Sequence, residues 1–205
     1  SMHIATKTSV LLISAIGLAG WDGPVEAFAF DTTYTTFADI DAALSDEVEA
    51  NVDENGDLQE LSDRSDIATL EAESGTSIYN GAIVAQEESS GPVMIGQLQL
   101  EVNFDTTRID GTAGNFIKSN DDVVDGALFG SGVYNTDFSA DANGHHFNMD
   151  LEGALTDNGM TYDTTIALGG NFIDTNGDAN DIAGDADITM TGGPIFDDAA
   201  FSASR

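Results

Sequence analysis

From Ser77 onward the chain is cut into short runs that alternate apolar and polar residues, with Gly, Asn and Asp between them. The runs are "SIYNGAIVA", "MIGQLQLEVNF", "RIDGTAGNF", "GALFGSGVY", "HHFNMDLEGAL", "MTYDTTIALGGNF" and "IAGDADITM". In "QLQLEVNF", Leu98, Leu100, Val102 and Phe104 recur with period two, which places them on one face of a strand. In "HHFNMDL" the same period puts His145, Phe147, Met149 and Leu151 on one face and His146 on the other. Ala142-Asn143-Gly144 and Asp157-Asn158-Gly159 carry the residues that tight hairpin turns demand. Glycines inside the runs suit the curvature of a small closed sheet, and none of the three prolines interrupts a run. The pattern predicts an all-β fold, a small antiparallel up-and-down β-barrel over residues 77–192, with residues 193–205 as a tail.

The first third has a different texture. Phe28 to Phe37, "FAFDTTYTTF", is rich in aromatic residues and threonine and reads as a strand. Asp39 to Ala72 is acidic and nearly free of aromatics, with helical pieces expected around Ile40–Val48 and Asp66–Glu71. Residues 30–76 thus read as an acidic N-terminal extension. Ahead of it, Val10 to Leu18 has the length of the apolar part of an export signal and is too short to span a bilayer as a helix. Lys7 precedes it, and small-x-small cleavage patterns follow at Gly17–Ala19 and Ala27–Ala29. Leu18-Ala19-Gly20 is the tripeptide that precedes a lipidated cysteine in bacterial lipoproteins, but Trp21 follows and the chain has no cysteine, so no lipid anchor is expected. Residues 1–29 read as an export signal or, alternatively, as an N-terminal strand.

Charge and residue usage prune the functions. Against 37 acidic residues stand 5 basic ones, a formal net charge of −32. Nucleic acid is excluded as a partner because it needs a basic footprint, and an anionic membrane surface is disfavoured for the same reason. An acidic, solvated surface, cation sites or a basic partner are what remain. Without cysteine there are no disulfides, thiol nucleophiles or thiolate metal sites. Histidine occurs three times, as His3, His145 and His146, so a histidine mechanism must use the adjacent pair.

Two constellations could hold a cofactor. Asp174, Asn176 and Asp178 stand at i, i+2, i+4, the spacing of a calcium loop, with Asp185 at the twelfth position where a Glu is usual. Ala179 replaces the loop's customary glycine. Asp53 to Asp57, "DENGD", repeats the spacing. "HHFNM" offers His145, His146 and Met149 as haem or transition-metal ligands. The plainer expectation is a solvated turn for the first set, and for the second a strand-entry imidazole beside a solvated one. No nucleophile motif, carboxylate pair or phosphate-cradling loop supports an enzyme.

The order of the runs resembles the C-terminal β-barrel of the transferrin-binding protein B-like family. The matching positions are Tyr79 and Gly81, then Gly96 to Phe104, Ile109 to Phe116, and Gly170 to Gly184. The resemblance covers about residues 77–192 and rests mostly on folding residues. It implies about eight strands and a bacterial surface or secreted barrel, usually lipid-anchored, in a family that binds host transferrin, complement regulators or haem. This chain lacks the anchor cysteine, and its ending reads "NFIDTNGDANDIAG" where the family has an aromatic final hairpin. The resulting expectation is an exported, non-catalytic protein at or outside the bacterial cell surface. It would bind an unidentified protein or small ligand through the loops Glu87–Gly91, Lys118–Asp125 and Asp174–Asp181. The alternative is self-association, with the hydrophobic N-terminal strand pairing to a neighbouring barrel edge.

Overall fold

A computed structural model describes residues 29–49, 64–135, 144–174 and 179–205. Eight antiparallel strands close into a barrel: β1 (Thr76–Glu87), β2 (Val93–Asn103), β3 (Arg108–Lys118), β4 (Val123–Val133), β5 (Phe147–Asp157), β6 (Met160–Asp174), β7 (Ala179–Met190) and β8 (Phe196–Ser204). Each strand pairs with its neighbour in sequence, and β8 returns to β1 with Gly81 opposite Ala203 and Ile83 opposite Phe201. The expected barrel is therefore present. Its closing strand, however, comes from residues 193–205, which the sequence pattern left as a tail. In "FDDAAFSAS" the lumen-facing residues Ala199, Phe201 and Ala203 alternate with small or acidic ones, so the apolar period is faint.

Period two sorts the side chains. Leu98, Leu100 and Val102 of β2 point into the lumen, while Gln99 and Glu101 face outward. The β5–β6 hairpin turns on Asn158 and Gly159, both at positive φ (49° and 77°), as a two-residue Asn-Gly turn requires. Eight strands leave an interior just wide enough for side chains. Tyr79, Leu98, Phe116, Leu128, Leu151, Phe172 and Phe201 fill it, each at most 1% exposed. Glycines make the room: the Phe116 ring lies where a side chain on Gly96 would sit, and Phe147 and Phe201 do the same at Gly170. Fully burying each such side chain contributes about 1.5–3 kcal/mol, which makes the lumen the main source of stability.

Outside, the wall carries exposed carboxylates such as Asp150 and Glu152 where a membrane-spanning barrel carries apolar residues. No helix among the described residues is long and apolar enough to cross a membrane. One stretch of wall is apolar and covered. Helix α1 (Phe37–Glu49) lays Phe37, Ile40 and Leu44 over Ala82, Ile95 and Ile117. Ahead of it, the expected strand at 28–37 is not formed: its described part, residues 29–36, runs over the wall through a turn at Asp31–Thr33. Asp31 is fixed there by Gln97, which accepts from the Asp31 amide and donates to its carbonyl, both at 2.9 Å. Helix α2 (Ile67–Ala72), N-capped by the Asp66 carboxylate on the Thr69 amide at 2.7 Å, inserts Leu70 into the lumen core.

Candidate functional site

The barrel has two ends of different character. One end carries the β2–β3 connection, the last residues of β4 and β6 and the first of β5 and β7, together with α2 and the C-terminus. Here Tyr79 donates from its hydroxyl to the Ala179 carbonyl at 2.6 Å. The Arg205 guanidinium pairs with Glu73 at 2.6 Å and lies 5.9 Å from the centres of the Tyr79 and Phe104 rings. Glu73 is held below the usual carboxylate range by its hydrogen bond from Arg205.

The histidine pair belongs to this end, and its faces are the reverse of the sequence expectation. His146 is fully buried, whereas His145 lies partly exposed on the outside. The cause is local: the pair precedes β5 in a bend, where strand alternation does not yet hold. His146 donates its amide to Gly170 O at 2.9 Å and to Asn171 Oδ1 at 3.1 Å. Its Nδ1 accepts from the Phe172 amide at 2.9 Å, which places the ring proton on Nε2. Burial pushes the imidazole pKa down to about 4, the Ser65 backbone opposes that shift, and the neighbouring Arg64 adds to it. The ring stands edge-on to Phe172 at 5.6 Å. It is a neutral core residue with its ligating nitrogens turned to protein.

Met149 does not join it. Its side chain points into the lumen against Gly111, while the His145 ring covers Gly169 on the outer face. His145 meets Asp185 and Asn148 there, each at 3.4 Å. His145 and Met149 thus lie on opposite faces of the sheet, and the three expected haem ligands do not converge. Of the calcium set, Asn176 and Asp178 lie outside the described residues, as does the 53–57 repeat. Asp185 stands opposite Gly169 in the β6–β7 register, five residues along β6 from Asp174. At strand rise that is about 17 Å of backbone, so the two positions do not share a loop. Among the described residues no three His, Asp or Glu side chains cluster as metal ligands.

The opposite end is built from four short connections. The β1–β2 connection carries Ser89 and Ser90 at positive φ, and the β3–β4 turn carries Asp121 likewise. These connections are tied to one another. Glu88 donates its amide to Ile195 O at 2.9 Å, and the Asn158 side chain donates to Asp122 at 3.5 Å. The Phe37 amide, from the start of α1, donates to Asp121 at 2.8 Å. Two of the three loops expected to recognise a partner, Glu87–Gly91 and Lys118–Asp125, meet at this end. The third, Asp174–Asp181, does not: its flanks Asp174 and Ala179 end β6 and begin β7 at the other end, and residues 175–178 lie outside the described residues. Three of the large exposed apolar residues stand on this rim: Val123 (42%), Met160 (59%) and Ile195 (64%). Glu88, Asp121, Asp197 and Asp198, also exposed, belong to the same end.

The described cavities are outside the barrel. One groove of about 600 Å³ on the wall is lined by Thr106, Arg108, Ser131, Gly132 and Val133. There Arg108 grips Asp110 through three hydrogen bonds of 2.8–3.0 Å. The rim residues escaped the sequence reading because isolated apolar residues at strand ends carry no periodic signal; only the up-and-down topology assigns them to one end. No protein-family model matches this chain, and no curated protein matches it either.

Proposed function

We propose that this chain is an exported, non-catalytic binding protein that engages a cationic, amphipathic macromolecular partner at the barrel end bearing Val123, Met160 and Ile195. The observation that carries this reading is the mixture on that rim: three exposed apolar side chains among carboxylates, on turns held rigid by mutual hydrogen bonds. Apolar anchors supply affinity and surrounding charge supplies steering and selectivity. The lumen supports recognition from outside, since the described residues packed across its centre are at most 1% exposed. Export rests on the Thr8–Trp21 stretch, and its test is whether residues 1–29 carry a reporter out of the bacterial cytoplasm.

The binding claim is tested with a designed lysine–leucine helical peptide, titrated calorimetrically at low and physiological salt. Replacing Val123, Met160 and Ile195 together by serine is expected to weaken binding by about tenfold or more, some 1.4 kcal/mol. Replacing the wall residues Phe129 and Val133 by serine leaves it unchanged. Equal losses in both variants, or no saturable binding at all, refute the assignment. The self-association alternative through strand pairing finds no free edge in the closed barrel, so that route would require opening a seam.

A further inference from the structure

Only two lysines occur in the whole chain, Lys7 and Lys118, and the second is spent inside the barrel. A β-bulge at Asn115 (φ 48°) resets the alternation of β3, so that Phe116 and Lys118 point inward while Ile117 faces α1. Lys118 is 4% exposed at the mouth of the lumen, opposite buried Met94 on β2. Its Nζ donates to Asp157 Oδ2 at 2.6 Å and lies 2.5 Å from Glu87 Oε1. Asp157 is 5% exposed, and the Glu87 side chain 17%. Glu87 Oε1 has no hydrogen-bond partner among the described residues other than this ion pair. The other Asp157 oxygen, Oδ1, accepts from the Asn158 side-chain amide at 3.3 Å.

Two carboxylates on one ammonium leave the site a net negative charge in a dry setting, an arrangement whose desolvation cost is high. Condensing one pair into a neutral amide removes two of those charges. We propose that Lys118 and Asp157 become joined by an intramolecular isopeptide bond, formed within the folded barrel with Glu87 as the proton carrier.

Burial disfavours the Lys118 ammonium, but the hydrogen bonds it donates to Asp157 and Glu87 outweigh that and raise the pKa, so the reaction starts from the ion pair. A proton passes from Nζ to Asp157 Oδ2 along their hydrogen bond, giving a neutral amine and a neutral carboxylic acid. The amine lone pair attacks the Asp157 carboxyl carbon, and Asn158 stabilises the charge that develops on Oδ1. Glu87 takes a proton from the attacking nitrogen and delivers it to Oδ2, which leaves as water. One C–N bond forms and one C–O bond breaks. There is no change of oxidation state, and Glu87 ends as it began, accepting from the new amide N–H. Holding amine and carboxyl in contact supplies the proximity that makes a slow condensation feasible as a single turnover. The product ties β3 to β5 across β4.

The test is the intact mass of the purified full chain, followed by tandem mass spectrometry of a digest. The expected result is a mass lower than the sequence mass by one water, with a branched peptide joining the segments that carry Lys118 and Asp157. Glu87→Gln and Lys118→Arg should fold, by circular dichroism, and retain the full mass expected of each. Asp157→Asn should lose ammonia in place of water, which keeps the proposal testable if either other variant fails to fold. Folded wild-type protein that keeps its whole sequence mass after prolonged incubation overturns the proposal. So does a water loss that gives no branched peptide, as from a succinimide at Asp110-Gly111 or Asp125-Gly126. A water loss that persists in Glu87→Gln overturns the role of Glu87.

Discussion

Truncating Phe172 to alanine tests whether the lumen is a solid core. Its ring is fully buried at the centre of an aromatic cluster, 5.2 Å from Tyr134, 5.6 Å from His146, 5.9 Å from Phe104 and 6.2 Å from both Tyr79 and Phe147. Its amide, which donates to His146 Nδ1, survives the substitution, so the change isolates packing. A Phe→Ala truncation in a close-packed core costs about 3–5 kcal/mol. Edge-on aromatic pairs add roughly 0.5–1.5 kcal/mol each beyond buried area, which puts this site at the top of the range. With each kcal/mol worth about 2–4 °C in a chain of this size, the midpoint should fall by about 10–20 °C. Urea titration reads the same loss at constant m-value. A loss below about 1 kcal/mol would mean that the ring occupies space the barrel can dispense with. The description of a filled lumen would then be wrong.

Other substitutions probe separate joints. His146 is neutral in the folded barrel with a pKa of about 4, below its unfolded value, so the unfolded chain binds the proton more readily. Its contribution is complete above about pH 6.5 and is lost as the pH falls to about 4, some 3 kcal/mol in all. Denaturant titrations across that window should show this slope in the native chain and its absence in His146→Gln. Tyr79→Phe removes the donor to the Ala179 carbonyl and should cost about 1–2 kcal/mol by urea titration, with no change in secondary structure. Gly81→Ala would drive a methyl group into the Ser202 carbonyl at the β1–β8 seam, and circular dichroism should show loss of the fold. Gly159→Ala, at φ 77° with open space around it, should cost only about 1–2 kcal/mol of left-handed strain in a thermal melt.

The barrel was legible because period two survives wherever large apolar residues alternate with polar ones, as in "QLQLEVNF". It faded where alanines flank a single inward aromatic, Phe201, which is why β8 read as a tail. Helices α1 and α2 fell within a few residues of Ile40–Val48 and Asp66–Glu71. "FAFDTTYTTF" misled because its aromatics serve a different partner: Phe30 lies over Gly114, and Tyr34 and Phe37 pack with Ile40 on the wall. Propensity cannot distinguish a strand from an extended chain docked on a sheet. The histidine faces inverted because alternation was extended one turn too far, into the bend before β5. The Glu87–Lys118–Asp157 triad was invisible for a stronger reason. Its members are 31 and 39 residues apart in sequence, and a bulge decides that Lys118 points inward.

A lumen packed solid leaves the outside of the barrel as the place for the proposed recognition. The most direct measurement is a titration of the full chain with haemin, followed by its Soret band, alongside an apolar fluorescent probe followed by emission. No saturable change is expected in either signal, with the same flat response in His146→Gln. A saturable one-to-one Soret shift that disappears in His146→Gln, or a saturable probe signal that disappears when Phe172 is altered, would place a ligand inside the barrel and refute a solid lumen.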